Sequence, residues 1–278
     1  MEAIVTTDWL NEQLRKGIDE LRVVDVRFHL MDPDAGRKAY EEGHIPTAIY
    51  VDLNEHLSTS PSKHGGRHPL PSREQLAETF SHFGIDDRSK IVVYDEGGSF
   101  AARLYWTFKY LGHEDVAILD GGYAKWVQDG YEVTTEVPVF EKGTFTARNN
   151  DDWQTIDAFA LKRKLNDPNT IIIDARERNR YLGLHEPIDP IAGHIPGAVN
   201  YFWKNVFDEN GLWKSEAQLR ELFADVPKDK EIVVYCGSGV SACPNIIALK
   251  RIGYKNVKLY PGSWSDWITY DDFPIETD

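Results

Sequence analysis

Cys236 follows the apolar run Ile232-Val233-Val234-Tyr235 and opens the segment Cys236-Gly237-Ser238-Gly239-Val240-Ser241-Ala242. The run reads as a buried strand, and a helical pattern from Cys243 to Arg251 ends at Gly253. A thiol therefore stands at a strand's C-terminal end, on a turn of small residues that leads into a helix. Open α/β sheets bind ligands at such places. Backbone N–H groups of the turn and the positive end of the helix dipole favour an anionic sulfur, and the thiolate is the nucleophilic form. The two glycines let the backbone curl around the sulfur. A lone Cys at a strand end also reads as a buried, inert thiol, and the local pattern leaves both readings open.

The elements that must position this turn occur twice. Val24-Asp25-Val26-Arg27 recurs as Ile173-Asp174-Ala175-Arg176, and Gly43-His44-Ile45-Pro46 recurs as Gly193-His194-Ile195-Pro196. Ile91-Val92-Val93-Tyr94 recurs as Ile232-Val233-Val234-Tyr235, and Leu119 to Trp126 recurs loosely as Leu259 to Trp267. The block order is the same in both halves, so a duplicated domain with altered loop lengths explains the pattern. The expected division is 1–137, a linker over 138–150 without periodicity, and 151–278. In the second half, strands are expected at Ile171–Ile173, Ala198–Asn200, Ile232–Tyr235 and Val257–Tyr260. Helices are expected near Ser215–Phe223, Cys243–Arg251 and Trp264–Tyr270. Alternation of this kind predicts an α/β chain of two tandem domains, each a mainly parallel sheet with helices on both faces.

The chain has 278 residues, 41% of them hydrophobic, enough for two cores. No apolar run reaches the length of a membrane span, and the N-terminus lacks the pattern of a secretion signal. Two cysteines make no disulfide framework, and Cys236 and Cys243 fit no metal-site spacing. A reducing, cytoplasmic setting is the expectation. The net charge of −14 argues against nucleic acid and anionic membrane as partners. A small anionic substrate would then need a locally positive pocket.

The duplicated Asp-x-Arg and Gly-His-Ile-Pro blocks, the Cys236 loop and the Gly-Ser-Trp-x-x-Trp block at Gly262–Trp267 together resemble the tandem-domain rhodanese-type sulfurtransferases. The resemblance covers nearly the whole chain. It implies two rhodanese-like domains of which only the second is catalytic, because Asp95 stands at the position equivalent to Cys236 and a carboxylate cannot form a persulfide. The first domain is then expected to support and wall the active-site cleft. The implied mechanism is attack by the Cys236 thiolate on a donor's outer sulfur, forming a persulfide that cyanide, a small thiol or a protein thiol discharges. The N–H groups of Gly237, Ser238, Gly239, Val240, Ser241 and Ala242 would hold the negative sulfur. No metal or organic cofactor is implied.

For the donor, the resemblance points to 3-mercaptopyruvate or thiosulfate. Relatives that prefer mercaptopyruvate carry Gly-Ser-Gly-Val after the Cys, as Gly237–Val240 do here, whereas thiosulfate-preferring relatives commonly carry basic residues there. Mercaptopyruvate leaves as an enolate and needs a proton relay. The family match gives Ser238, His68 and Asp52 for that relay, and Arg180 for the substrate's anionic group. Read from the residues alone, His68 is a loop histidine beside Gly65-Gly66-Arg67, and Arg180 is one member of a surface cluster with Arg176, Glu177 and Arg178. The mercaptopyruvate relatives have a second arginine before the second Gly-His-Ile-Pro block. Here that stretch, Glu186-Pro187-Ile188-Asp189-Pro190, has no basic residue, so thiosulfate preference stays an alternative.

The duplication of Asp25, Arg27 and His44 as Asp174, Arg176 and His194 marks them as structural, since one domain alone is expected to react. Trp264 and Trp267 read as core. Phosphatases with a similar loop require Cys-x5-Arg, and Ala242 occupies that Arg position. A non-enzymatic rhodanese-like binding or sulfur-relay module is the remoter alternative, disfavoured by the intact Cys236 loop.

Overall fold

The structure is a computed structural model that describes residues 1–277, and it divides into two compact units. The first contains Met1–Thr59, Pro71–Asn150 and Glu209–Trp213; the second contains Ser60–Leu70, Asp151–Asp208 and the described residues from Lys214 onward. Residues 60–70 thus pack with the second unit although their neighbours in sequence pack with the first. Residues 138–150, expected as a linker, fold onto the first unit. There the Gly143 N–H donates to the Ser81 carbonyl at 2.8 Å, and the Phe145 ring packs against Phe80 and Phe108.

The first unit has five strands, β1 (Ile4–Val5), β2 (Leu21–Asp25), β3 (Ile49–Tyr50), β4 (Lys90–Tyr94) and β5 (Val116–Leu119), in the order β1-β5-β4-β2-β3. The second unit repeats this with β6 (Gln154–Thr155), β7 (Thr170–Asp174), β8 (Val199–Asn200), β9 (Glu231–Tyr235) and β10 (Val257–Leu259), in the order β6-β10-β9-β7-β8. Every ladder is parallel. Central parallel strands are covered on both faces, which is why they read as unbroken apolar runs. All five residues of β9 are buried, as are Ile91 to Tyr94 of β4. Short edge strands β1 and β6 carry too little pattern to be seen in the sequence.

Each unit's core gathers against its sheet. In the second it includes Ile172, Val233, Tyr235, Tyr260, Trp264 and Trp267, and in the first Leu10, Val23, Val92, Tyr94 and Trp126. The two tryptophans of the Gly-Ser-Trp block are fully buried, with their indole N–H groups on the carbonyls of Ile191 and Pro274.

The duplicated motifs do the same structural work in both units. Arg176 bonds Asp174 and reaches the Gly193 carbonyl at 2.6 Å; Arg27 bonds Asp25 and reaches the Gly43 carbonyl at 2.7 Å. Each buried pair ties the end of a strand to the Gly-His-Ile-Pro turn. The buried tyrosine that ends β4 or β9 accepts the N–H of Ile45 or Ile195 in that turn. His44 and His194 stack on Tyr40 and Tyr181 and bond the carbonyls of the same residues.

Candidate active site

In the second unit the chain runs from β7 outward to β8, returns to β9, and continues the other way to β10. The strand order reverses between β7 and β9, and the carboxyl ends of strands at such a reversal form a ligand crevice. Cys236 follows β9, and Arg176 and Arg180 follow β7.

Cys236 is a free thiol, 1% exposed. Its backbone is fixed by the turn after β10. The Cys236 N–H donates to Ser263 Oγ at 3.0 Å, and Ser263 Oγ donates to the Tyr260 carbonyl at 2.8 Å. The N–H groups of Trp264 and Ser265 donate to the carbonyls of Cys236 and Gly237 at 3.0 and 2.9 Å. Ser263 holds φ at +56°, a left-handed conformation that costs a residue with a Cβ on the order of 1 kcal/mol or more. The network around the Cys236 loop maintains that strain. Gly239 has φ +75°, and a Cβ there would collide with the Pro261 carbonyl oxygen. Val240 and Ala242 are buried, Ser241 is partly exposed, and the helix Cys243–Arg251 begins with Pro244 in its first turn, where a missing N–H costs nothing.

The first unit shows what this loop shape does with an anion. Asp95 ends β4 at the position of Cys236. Its Oδ1 accepts the N–H groups of Gly97 and Gly98 at 3.2 and 2.6 Å, and its Oδ2 those of Phe100 and Ala101 at 2.8 and 3.0 Å. Burial pushes this carboxyl up, and the four N–H groups pull against it. Counted from Cys236, the same positions are Ser238, Gly239, Ser241 and Ala242. Gly98 and Gly239 share a positive φ, +86° and +75°, so the two loops turn alike.

Segment 60–70 brings two more groups to the second unit's loop. The N–H groups of Gly65 and Arg67 donate to Asp266 Oδ1 at 2.7 Å and to Ser265 Oγ at 3.1 Å. Gly66 has φ +80° and lies against the Gly262 carbonyl, where a Cβ would not fit. Thus docked, the segment places His68 Nδ1 2.8 Å from Ser238 Oγ, both side chains buried. It also sets the Arg67 guanidinium over Gly237, whose ideal Cβ would lie 2.7 Å from Arg67 Nη2 and 3.5 Å from Arg180 Nη2.

Arg180 is not paired within the Arg176–Arg178 cluster. Its Nε donates to both oxygens of Glu186 at 3.0 Å, and its Nη2 to Asp189 Oδ2 at 3.2 Å. Glu177 instead caps its own short helix through the Asn179 N–H. Arg67 Nη1 donates to Asp189 Oδ1. Burial pushes Glu186 up, but Arg180 and the N–H groups of Asp189 and Ile188 outweigh it and hold the carboxyl below its usual range. Burial raises Asp189 despite Arg67 and Arg180.

The structure therefore gathers Cys236, Gly237, Ser238, His68 and Arg180 in one unit. Asp52 lies in the first unit, where its carboxylate accepts the N–H groups of Asn54 and Glu55 and the Tyr50 hydroxyl. Sequence reasoning passed over Arg67 and Asp189. The only local signal for Arg67 was a basic residue next to His68 after a double glycine. Among the described residues, no group of three or more His, Cys, Asp or Glu side chains is placed to hold a metal ion, and no helix is long and apolar enough to cross a membrane.

Comparison with known proteins gives this arrangement a family. The family model described as the rhodanese-like domain matches residues 6–129 and again 157–270. The chain belongs to the rhodanese family. A relative of this rhodanese from Pseudomonas aeruginosa, named a probable 3-mercaptopyruvate sulfurtransferase, is 41% identical over 265 residues, 93% of each chain. The thiosulfate sulfurtransferase of Rattus norvegicus is 33% identical over 276 residues, covering 95% of this chain and 91% of that one. Among solved structures, the 3-mercaptopyruvate sulfotransferase SseA of Escherichia coli matches with a TM-score of 0.83 at 33% identity, over 95% of this chain and 100% of that one. This rhodanese is a sulfurtransferase.

Proposed function

We propose that this rhodanese takes a sulfane sulfur from 3-mercaptopyruvate onto Cys236 and passes it to cyanide or a thiol acceptor. The observation that supports this reading best is the buried Ser238–His68 hydrogen bond on the loop that Cys236 opens. The Cys236 thiolate attacks the donor sulfur, a new S–S bond forms and the donor C–S bond breaks. Pyruvate leaves as its enolate, and the proton from the donor thiol ends on the enolate carbon. Ser238 and His68 move that proton, which needs a hydroxyl and an imidazole within hydrogen-bond reach of each other. Asp52 lies in the first unit with partners of its own there, and the relay proposed is Ser238 and His68. The persulfide sulfur, negative at neutral pH, sits where the N–H groups of Ser238 to Ala242 converge, as Asp95 sits in the first unit. The acceptor then attacks the outer sulfur and restores the thiolate. Arg180 holds the donor carboxylate through its guanidinium fork.

Thiosulfate is the second reading, favoured by two guanidiniums over Gly237, which suit a dianion. With it the leaving group is sulfite, and no proton relay is required. The two readings separate in one experiment, sulfur transfer to cyanide from each donor with kcat/KM compared. A large advantage for mercaptopyruvate is the expected result. An advantage for thiosulfate would overturn the assignment of the relay, and turnover of neither would return the chain to a relay-module role. The cellular setting proposed is the cytoplasm.

A further inference from the structure

We propose that Arg67 supplies the second guanidinium of the donor site and that Asp189, bound to both Arg67 and Arg180, makes the site select a monoanionic carboxylate over a dianion. The inference rests on the reading of the Cys236 loop as the sulfur-accepting site.

The residues form one cluster. Arg67 and Arg180 both approach Gly237, the residue after the nucleophile. Asp189 bridges them, one carboxylate oxygen to each. Glu186 holds Arg180 from the side and also reaches Arg176 at 3.2 Å, and Arg176 is matched by Asp174. The charges of Arg67 and Arg180 are thus offset by two carboxylates, Glu186 and Asp189, and the four groups together are neutral. The two carboxylates are not equivalent. Glu186 is fixed by the N–H groups of Ile188 and Asp189 as well as by arginine. Asp189 is held by the two arginines, whose charges pull against the upward push of its burial. Arg67 also keeps unused donor capacity, since its buried Nε has no hydrogen-bond partner among the described residues.

A carboxylate already set between the two guanidiniums is an internal counterpart of the group the donor would present. An entering anion shares or displaces it and feels its charge. Coulomb energy is linear in the ligand's charge, so Asp189 opposes a dianion twice as strongly, in free energy, as a monoanion. Removing the charge therefore helps thiosulfate by about the square of the factor by which it helps mercaptopyruvate. A single like charge placed in a binding site is one way to discriminate against a competing ligand.

The test is steady-state sulfur transfer to cyanide from both donors by Asp189→Asn, Arg67→Met and Cys236→Ser. Asp189→Asn is expected to lower KM by about fivefold for mercaptopyruvate and by about twenty-fivefold for thiosulfate, with kcat nearly unmoved. A rise in KM for both donors by one common factor, or an unchanged donor ratio, overturns the proposal, because Asp189 would then only hold the arginines in place. Arg67→Met provides an independent arm should the Asp189 variant fold poorly. It is expected to raise KM for both donors, more for thiosulfate, and an unchanged KM overturns the role of Arg67. Cys236→Ser separates this inference from the reading beneath it: continued sulfur uptake by that variant sinks the site itself, whatever the charge variants do.

Discussion

The reach of single residues sets the chemistry at the Cys236 loop. Gly237 has no side chain, and that leaves its neighbourhood to Arg67 and Arg180. An alanine there meets the end of a flexible arginine rather than backbone, so the fold tolerates it while Arg67 moves. Gly237→Ala is expected to raise the donor KM by roughly tenfold, the cost of displacing a positioned charge by about an ångström. Stability should fall by less than about 1 kcal/mol. Kinetics and a thermal melt on the same preparation check both halves, and a large loss of stability with KM unchanged would show that the glycine serves the fold instead. Cys236→Ser is expected to take up no sulfur, read as the absence of a one-sulfur mass gain after exposure to donor. Its melting temperature should stay near that of the parent, because Ser and Cys are close in size.

At the scale of elements, the site depends on a turn outside the loop itself. The segment Pro261–Ser265 fixes Cys236 and Gly237 through three hydrogen bonds, one to the Ser263 side chain and two from backbone N–H groups, and it is also where segment 60–70 docks. Ser263→Ala removes the acceptor of the Cys236 N–H and leaves a buried donor unpaired. The expected cost is about 1–3 kcal/mol, or a fall in melting temperature of several degrees for a chain of this size. Activity below the melt should fall as well, since the loop loses its anchor. A variant with unchanged melting temperature would mean that water or a shifted backbone replaces the serine. Gly239→Ala should be harsher. It combines a positive φ with a collision against the Pro261 carbonyl, and a loss of at least about 2 kcal/mol is expected.

Across the whole molecule, duplication produced two loops of one shape with two different fillings. Asp95 supplies its own carboxylate to four N–H groups, which makes the first unit's loop self-satisfied. The second unit's loop carries a thiol, and two arginines stand over it. Asp95→Ala leaves four N–H donors, that of Ala101 buried, without their acceptor and is expected to destabilise the protein by about 1–3 kcal/mol. Asp95→Asn, which keeps one acceptor oxygen, should fall between the parent and the alanine variant. Melting temperatures in that order check the argument, and equal temperatures for all three would defeat it.

Much of the fold was written in local pattern. Buried parallel strands read as apolar runs, the motif order repeated, and Cys236 stood at the end of such a run before a helix. Those features depend on backbone hydrogen bonding and burial within a few residues, and spacing reports them directly. His68 and Ser238 could be joined only through family likeness, because 170 residues separate them. Arg67 and Asp189 are 122 residues apart, and nothing in either's neighbourhood named the other. Their meeting follows from the path of the chain: Gly66 adopts a conformation open to glycine, its segment lies down on Gly262, and only then does the guanidinium reach the loop. Sequence alone determined the duplicated architecture and the position of Cys236 at the end of a strand. Tertiary structure decided which charges surround the Cys236 loop, because long-range electrostatic neighbours are set by where loops dock rather than by any periodicity along the chain.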